Sequence, residues 1–130
     1  MTKRWLVLLL FSAVIGIVAR PGGQGPALNN IMREKLDYAQ KMLAAVVTND
    51  WVGLETQSRE MERLTRDPRW IVLKSPEYAR QSSAFIRAIQ DLHLAAAQRD
   101  LEAAPKAYVA VTLQCVSCHR YLARERLATR

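Results

Sequence analysis

Cys115, Val116, Ser117, Cys118 and His119 form a C-x-x-C-H run, and the chain of 130 residues contains no other cysteine. On a helical turn, residues three and four apart share a face, so both thiols and the imidazole can address one object. That object is a porphyrin in the reading the spacing favours. Two thiols at this separation reach the two vinyl groups on one porphyrin edge and form thioether bonds, and the following histidine is placed under the iron. The run therefore predicts one haem c per chain, held covalently by Cys115 and Cys118, with His119 as the proximal iron ligand. Competing chemistries ask for more than the sequence contains. A thioredoxin-like dithiol needs a strand-helix unit beside it, and no strand pattern is evident. A zinc site needs a fourth ligand, and the only other histidine is His93. A disulfide between the pair would close a very short loop and stabilise little.

The first 20 residues read as an export segment. Lys3 and Arg4 precede an uncharged apolar run from Trp5 to Ala19, and Arg20, Pro21, Gly22 and Gly23 break it. This is the order of a secretory signal. The run is shorter than the roughly 20 residues a membrane span needs, but Ile17 is bulky for a cleavage site. Residues 1–20 are thus expected to be a signal peptide or an uncleaved anchor, 21–27 a flexible linker, and 28–130 the domain, exported to the periplasm. The formal charge is +7, and removing Lys3 and Arg4 leaves +5. The basic residues are spread out rather than clustered with aromatics, which argues against nucleic acid. They suit a mildly basic surface that steers an acidic redox partner protein.

Four helical stretches should position the motif. The first spans about 28–47, with Leu28, Met32, Leu36, Ala39, Leu43 and Val46 as its apolar stripe. Thr48, Asn49 and Asp50 make a turn, and the second helix follows to about Thr65 with Trp51, Leu54, Met61 and Leu64 inward and Ser58 small between them. Asp67-Pro68 stops it. Trp70, Ile71 and Leu73 belong to a connector with inward apolar groups. Ser75-Pro76 opens the third helix, whose stripe is Tyr78, Phe85, Ile86, Ile89, Leu92 and Ala96. Asp100 caps the fourth, which carries Leu101, Tyr108, Val111, Cys115, Cys118 and His119 on one broad face. The expected fold class is all-α, an antiparallel four-helix bundle with the haem near the end of the fourth helix.

In that order and setting the chain resembles the cytochrome c-prime family and its low-spin, methionine-ligated relatives. The resemblance covers about residues 28–124. It rests on the long apolar first helix, Phe85, Leu92 and Ala95-Ala96-Ala97 in the third, Asp100-Leu101, and the late C-x-x-C-H. It implies a haem in the bundle core, with Cys115 and Cys118 as thioether residues and His119 as proximal ligand. The family often has an arginine four residues after that histidine. Here Ala123 stands there and Arg124 comes one later, as a candidate propionate contact. Family members often form homodimers through the first two helices, where Trp51 or Met61 would serve as contact or as core.

The function turns on the other face of the iron. In an antiparallel bundle the end of the fourth helix lies beside the start of the first, where Met32 and Leu36 stand one turn apart. A thioether from Met32 as sixth ligand gives a low-spin haem suited to electron transfer. Leu36 over the iron instead leaves an open site for nitric oxide or carbon monoxide. Met32 also suits a plain core filler, as do Met42 and Met61. An enzyme such as a peroxidase would need distal acid-base groups, and His93, between Leu92 and Leu94, reads as structural. The chain is therefore expected to transfer electrons and not to be an enzyme.

Overall fold

A computed structural model of the chain describes residues 26–128. The expected export segment and most of the expected linker lie outside the described residues, while Pro26 already begins a helix. The described residues form four α-helices and no strand: α1 (Pro26–Thr48), α2 (Trp51–Leu64), α3 (Pro76–Ala97) and α4 (Ala103–Ala128). A short 3-10 turn, Pro68–Trp70, interrupts the connection between α2 and α3. Helix α1 packs on α2, α2 on α3 and α3 on α4, whereas α1 and α4 meet more sparsely. Short connections and chain-neighbour packing are compatible with an up-and-down bundle. None of the described helices is long and apolar enough to cross a membrane.

The two tightest corners are built alike. After α1, Asn49 takes a left-handed conformation with φ of 56°, and after α3 Arg99 does so with φ of 53°. In the first corner Asp50 N–H donates to the Ala45 carbonyl at 2.9 Å and Asn49 N–H to that of Val46 at 3.4 Å. In the second, Asp100 N–H donates to Ala95 and Arg99 N–H to Ala96, both at 3.0 Å. This crossed pair is the Schellman arrangement, which satisfies the last carbonyls of a helix. The aspartate that completes each turn then caps the next helix. Asp50 accepts from Gly53 N–H at 2.9 Å, and Asp100 accepts from Glu102 and Ala103 N–H at 2.9 Å each. A Cβ at Gly53 would collide with the Asp50 carboxylate, so that glycine keeps the first cap intact. At α3, Ser75 accepts from Tyr78 N–H at 3.1 Å and Pro76 takes the first helical position, as its sequence implies. Pro105 falls in the first turn of α4, where a helix has no intrahelical use for its N–H.

Helices α2 and α3 bury most of the stripes read from their periodicity: Leu54, Ser58, Met61 and Leu64 on one, and Tyr78, Phe85, Ile89, Leu92 and Ala96 on the other, while Trp51 and Ile86 are half-buried. Met61 is fully buried, which makes it core and removes it as a surface for a second copy. Helix α1 departs from expectation. Its buried residues are Ile31, Lys35, Met42 and Ala45, a face turned from the expected stripe. Leu36, at 59% exposure, and Leu43 lie largely in solvent. Apolar residues cover more than half of this helix, so periodicity alone left its rotation open. In α4, Val111 is buried as expected, but Leu101 precedes the helix and is exposed.

Arginine carries a Cβ into a left-handed position that costs a non-glycine residue roughly 1–2 kcal/mol. Replacing Arg99 with Gly should therefore stabilise the fold by about 1 kcal/mol and raise Tm by about 4 °C, whereas Arg99→Val should lower it. Thermal unfolding followed by circular dichroism at 222 nm checks both.

Candidate functional site

The C-x-x-C-H run lies in the middle third of α4, and two hydrogen bonds fix how that helix is turned. Ser117, inside the run, donates from Oγ to Gln81 Oε1 at 3.0 Å. One turn later the Tyr121 hydroxyl pairs with Ser75 Oγ, the α3 cap, at 2.8 Å. Gln81 is itself buried in α3, and its Nε2 donates to Glu77 Oε1 at 2.8 Å. Arg80 grips the same carboxylate from the other side at 2.6 and 2.8 Å. A chain of contacts thus runs from an exposed ion pair through a buried amide to the middle of the motif. Nearer the start of α4, the Tyr108 hydroxyl donates to the Ala39 carbonyl of α1 at 3.0 Å.

With α4 so turned, Cys118 and His119 line a cavity of about 300 Å³. Cys115, one turn earlier, is half-buried and packs against the core, and both thiols are free. Leu122 and Arg126 continue the α4 wall. Met32 and Lys35 contribute from α1, Tyr78 from α3, and Trp70, Val72 and Leu73 from the connector. Trp70 is well anchored there. Its Nε1 donates to Ser82 Oγ at 3.1 Å, its carbonyl accepts from the Tyr78 hydroxyl, and its ring lies 5.4 Å from that of Phe85, tilted by 32°.

The cavity gathers most, though not all, of the residues singled out by sequence. Met32, Cys118 and His119 line it together. Leu36 does not, and its exposure takes it away from the position expected over the site. Arg124 is exposed and also lies off the cavity; Arg126 lines it instead. Helical geometry explains the exchange. A residue five places after His119 lies roughly 140° around the axis, whereas one seven places on returns to nearly the same face. His93 is half-buried and its Nδ1 pairs with Ser58 Oγ at 3.2 Å, the structural role expected of it. Met42 is fully buried in the core and lines no part of the cavity.

Sequence reasoning missed Lys35. Its residue is only 7% exposed, and its ammonium sits 3.9 Å from the Phe85 ring centroid and 4.6 Å from that of Trp70. Among the described residues no carboxylate pairs with it. Lysine is so seldom buried that its type gave no signal. Its position three residues after Met32, on the same helical face, was the available clue.

The electrostatics follow from this arrangement. Burial pulls the Lys35 ammonium below its ordinary range, against the smaller influence of the two thiols. Burial pushes the Cys118 thiol up, with Lys35 opposing. A raised thiol is the reverse of the activation that dithiol exchange requires. Partial burial, and then the charge of Lys35, hold the His119 imidazole below its usual value. The shift favours the neutral imidazole, the form that binds metals. Among the described residues no three His, Cys, Asp or Glu side chains gather as a metal cluster, so a zinc site of protein ligands alone has no support.

Comparison of the chain with protein-family models, with curated proteins and with solved structures gives no match.

The brace behind Ser117 has a pH signature. Hydrogen bonds from Arg80 and then Gln81 hold the Glu77 carboxyl at about 2, against an ordinary 4.5. A carboxyl depressed in the folded state contributes stability that is complete above about pH 4.5 and is lost as pH falls through about 2. Urea midpoints measured across that window should decline for the wild type, and less steeply for Glu77→Gln, with the two curves parallel above pH 5.

Proposed function

We propose that this chain is a monohaem c-type cytochrome that transfers electrons, with haem bound through Cys115 and Cys118, His119 as proximal ligand and Met32 as sixth ligand. The observation that carries this reading is that the Cys118 thiol, the His119 imidazole and the Met32 thioether line one cavity, with the free thiol of Cys115 one turn earlier on the same helix. The donor set fits a haem. The thiols stand three residues apart on one helix, the imidazole follows, and the wall opposite is aromatic and aliphatic. When bound, the haem iron would supply reversible one-electron chemistry.

The chain's own residues do the rest. Cys115 and Cys118 tie the group to α4, so it is not lost after export. Partial burial and Lys35 favour the neutral form of His119, which offers a lone pair. Ser117 and Tyr121, pinned to α3, stop α4 from rotating the imidazole away. Met32 presents a soft sulfur from α1, and Met/His ligation favours the reduced state. Trp70, Tyr78 and Leu122 exclude water from the porphyrin face. The domain has no strand among its described residues, and in the proposed reading it is a four-helix bundle cytochrome of the periplasm. Its mildly basic surface would meet an acidic redox partner.

The competing reading is a five-coordinate haem protein that binds nitric oxide or carbon monoxide. It requires Met32 to stand off the iron, and its expected pocket residue, Leu36, is turned to solvent.

Two measurements test these statements. Intact mass of the exported protein should exceed the polypeptide mass by one haem, and Cys115→Ala with Cys118→Ala together should abolish the increment. A wild-type protein without the increment would refute the cytochrome reading. In the haem-loaded protein, the ferric spectrum should be low-spin with a weak band near 695 nm, a property of methionine-iron ligation. Met32→Ala should remove that band and give a high-spin, carbon monoxide-reactive haem. A wild type that is already high-spin would favour the gas-binding reading.

A further inference from the structure

Lys35 is the buried charge of a cavity that Glu125 and Arg126 also line from exposed positions on α4. Its side chain is 93% buried by the 7% exposure of the residue, and it shares the cavity with Met32, Cys118 and His119. A buried cation normally has a carboxylate partner, but among the described residues Lys35 has none. Its ammonium instead rests against the faces of Phe85 and Trp70 at 3.9 and 4.6 Å, contacts that favour the charged form over the neutral amine. The aromatic faces hold the charge in place without cancelling it.

The location of the charge narrows what it can do. Its field reaches both Cys115 and Cys118 and the His119 ring. Lys35 shares the cavity wall with Cys118 and His119, so its charge would act on an iron held by that histidine.

We propose that Lys35 is a potential-setting residue, a fixed buried charge that destabilises the ferric state and so raises the reduction potential of the iron. The proposal rests on the cytochrome reading above. Ferric haem carries one more positive charge than ferrous haem, so a nearby cation disfavours the oxidised form. Because Lys35 itself is largely removed from water, that repulsion is screened less than one from a surface charge. The chain would then serve as a high-potential carrier, taking one electron from a donor protein of lower potential and passing it to a more oxidising acceptor. Exposed lysines such as Lys41, paired with Asp37 at 2.7 Å, would contribute little.

The test is the midpoint potential of the haem-loaded full chain, measured by spectroelectrochemistry for the wild type and for Lys35→Met, Lys35→Gln, Lys35→Arg and Lys41→Met. Both neutral Lys35 variants should shift the ferric/ferrous equilibrium at least tenfold towards ferric, about 59 mV lower for one electron. Lys35→Arg, which keeps the charge, should stay within threefold of the wild type, as should Lys41→Met. The ligation bands should be unchanged throughout, which separates a charge effect from a displaced ligand. The proposal is overturned if the neutral variants stay within twofold, or if Lys35→Arg falls as far as Lys35→Met. Neutral variants that fold but take up no haem would also overturn it, by assigning Lys35 to haem capture. A wild type with no covalent haem at all refutes the cytochrome reading instead.

Discussion

The rotation of α4 about its own axis is the constraint on which the site depends. Cys115, Cys118 and His119 share a face only because their spacing matches the helical repeat. That face is useful only if it looks into the protein. The hydrophobic effect is a weak guide here, because α4 buries few residues fully, among them Ala104 and Val111. Directional bonds do what burial cannot. Ser117 reaches Gln81 and Tyr121 reaches Ser75, so the helix is pinned on both sides of the histidine. A polar residue buried in α3 is normally a cost. Gln81 is tolerated because both ends of its amide are partnered, by Ser117 and by Glu77.

A second consequence concerns the connector between α2 and α3. Its 3-10 turn brings Trp70 back across the bundle, where the ring packs on Phe85 and lines the cavity. Asp67 caps that turn by accepting from Arg69 N–H at 2.8 Å, and the same aspartate is held at a carboxyl value of about 2 by the Arg69 side chain. A short polar clasp at the surface thus fixes an aromatic wall in the interior. The same wall shelters Lys35, so loop, cavity and buried charge form one unit.

Much of this was legible in the chain, for reasons that differ by residue. The α2 and α3 stripes were readable because polar residues flank a narrow apolar face. Asp50, Ser75 and Asp100 were readable as caps because their side chains compete with the backbone in ways specific to helix starts. Cys115, Cys118 and His119 were singled out by spacing alone, and two of them, Cys118 and His119, line the cavity. Helix α1 was not, since Leu36 and Leu43 continue an apolar surface past the buried face and a lysine sits where an apolar residue is expected. Arg126 was passed over for Arg124 because a family offset was followed where the helical repeat favoured the later residue. In the connector Trp70 and Leu73 face inward as expected, but Ile71 is exposed and Val72 lines the cavity instead, because a connector has no periodicity to read.

The seam between α1 and α4 is sparser than any pairing of chain-neighbouring helices, and residues of both helices line the cavity. Local opening concentrates where few buried contacts bridge two elements. The cavity therefore sits at a joint that costs little to part, and the contact from Tyr108 to Ala39 acts as its latch.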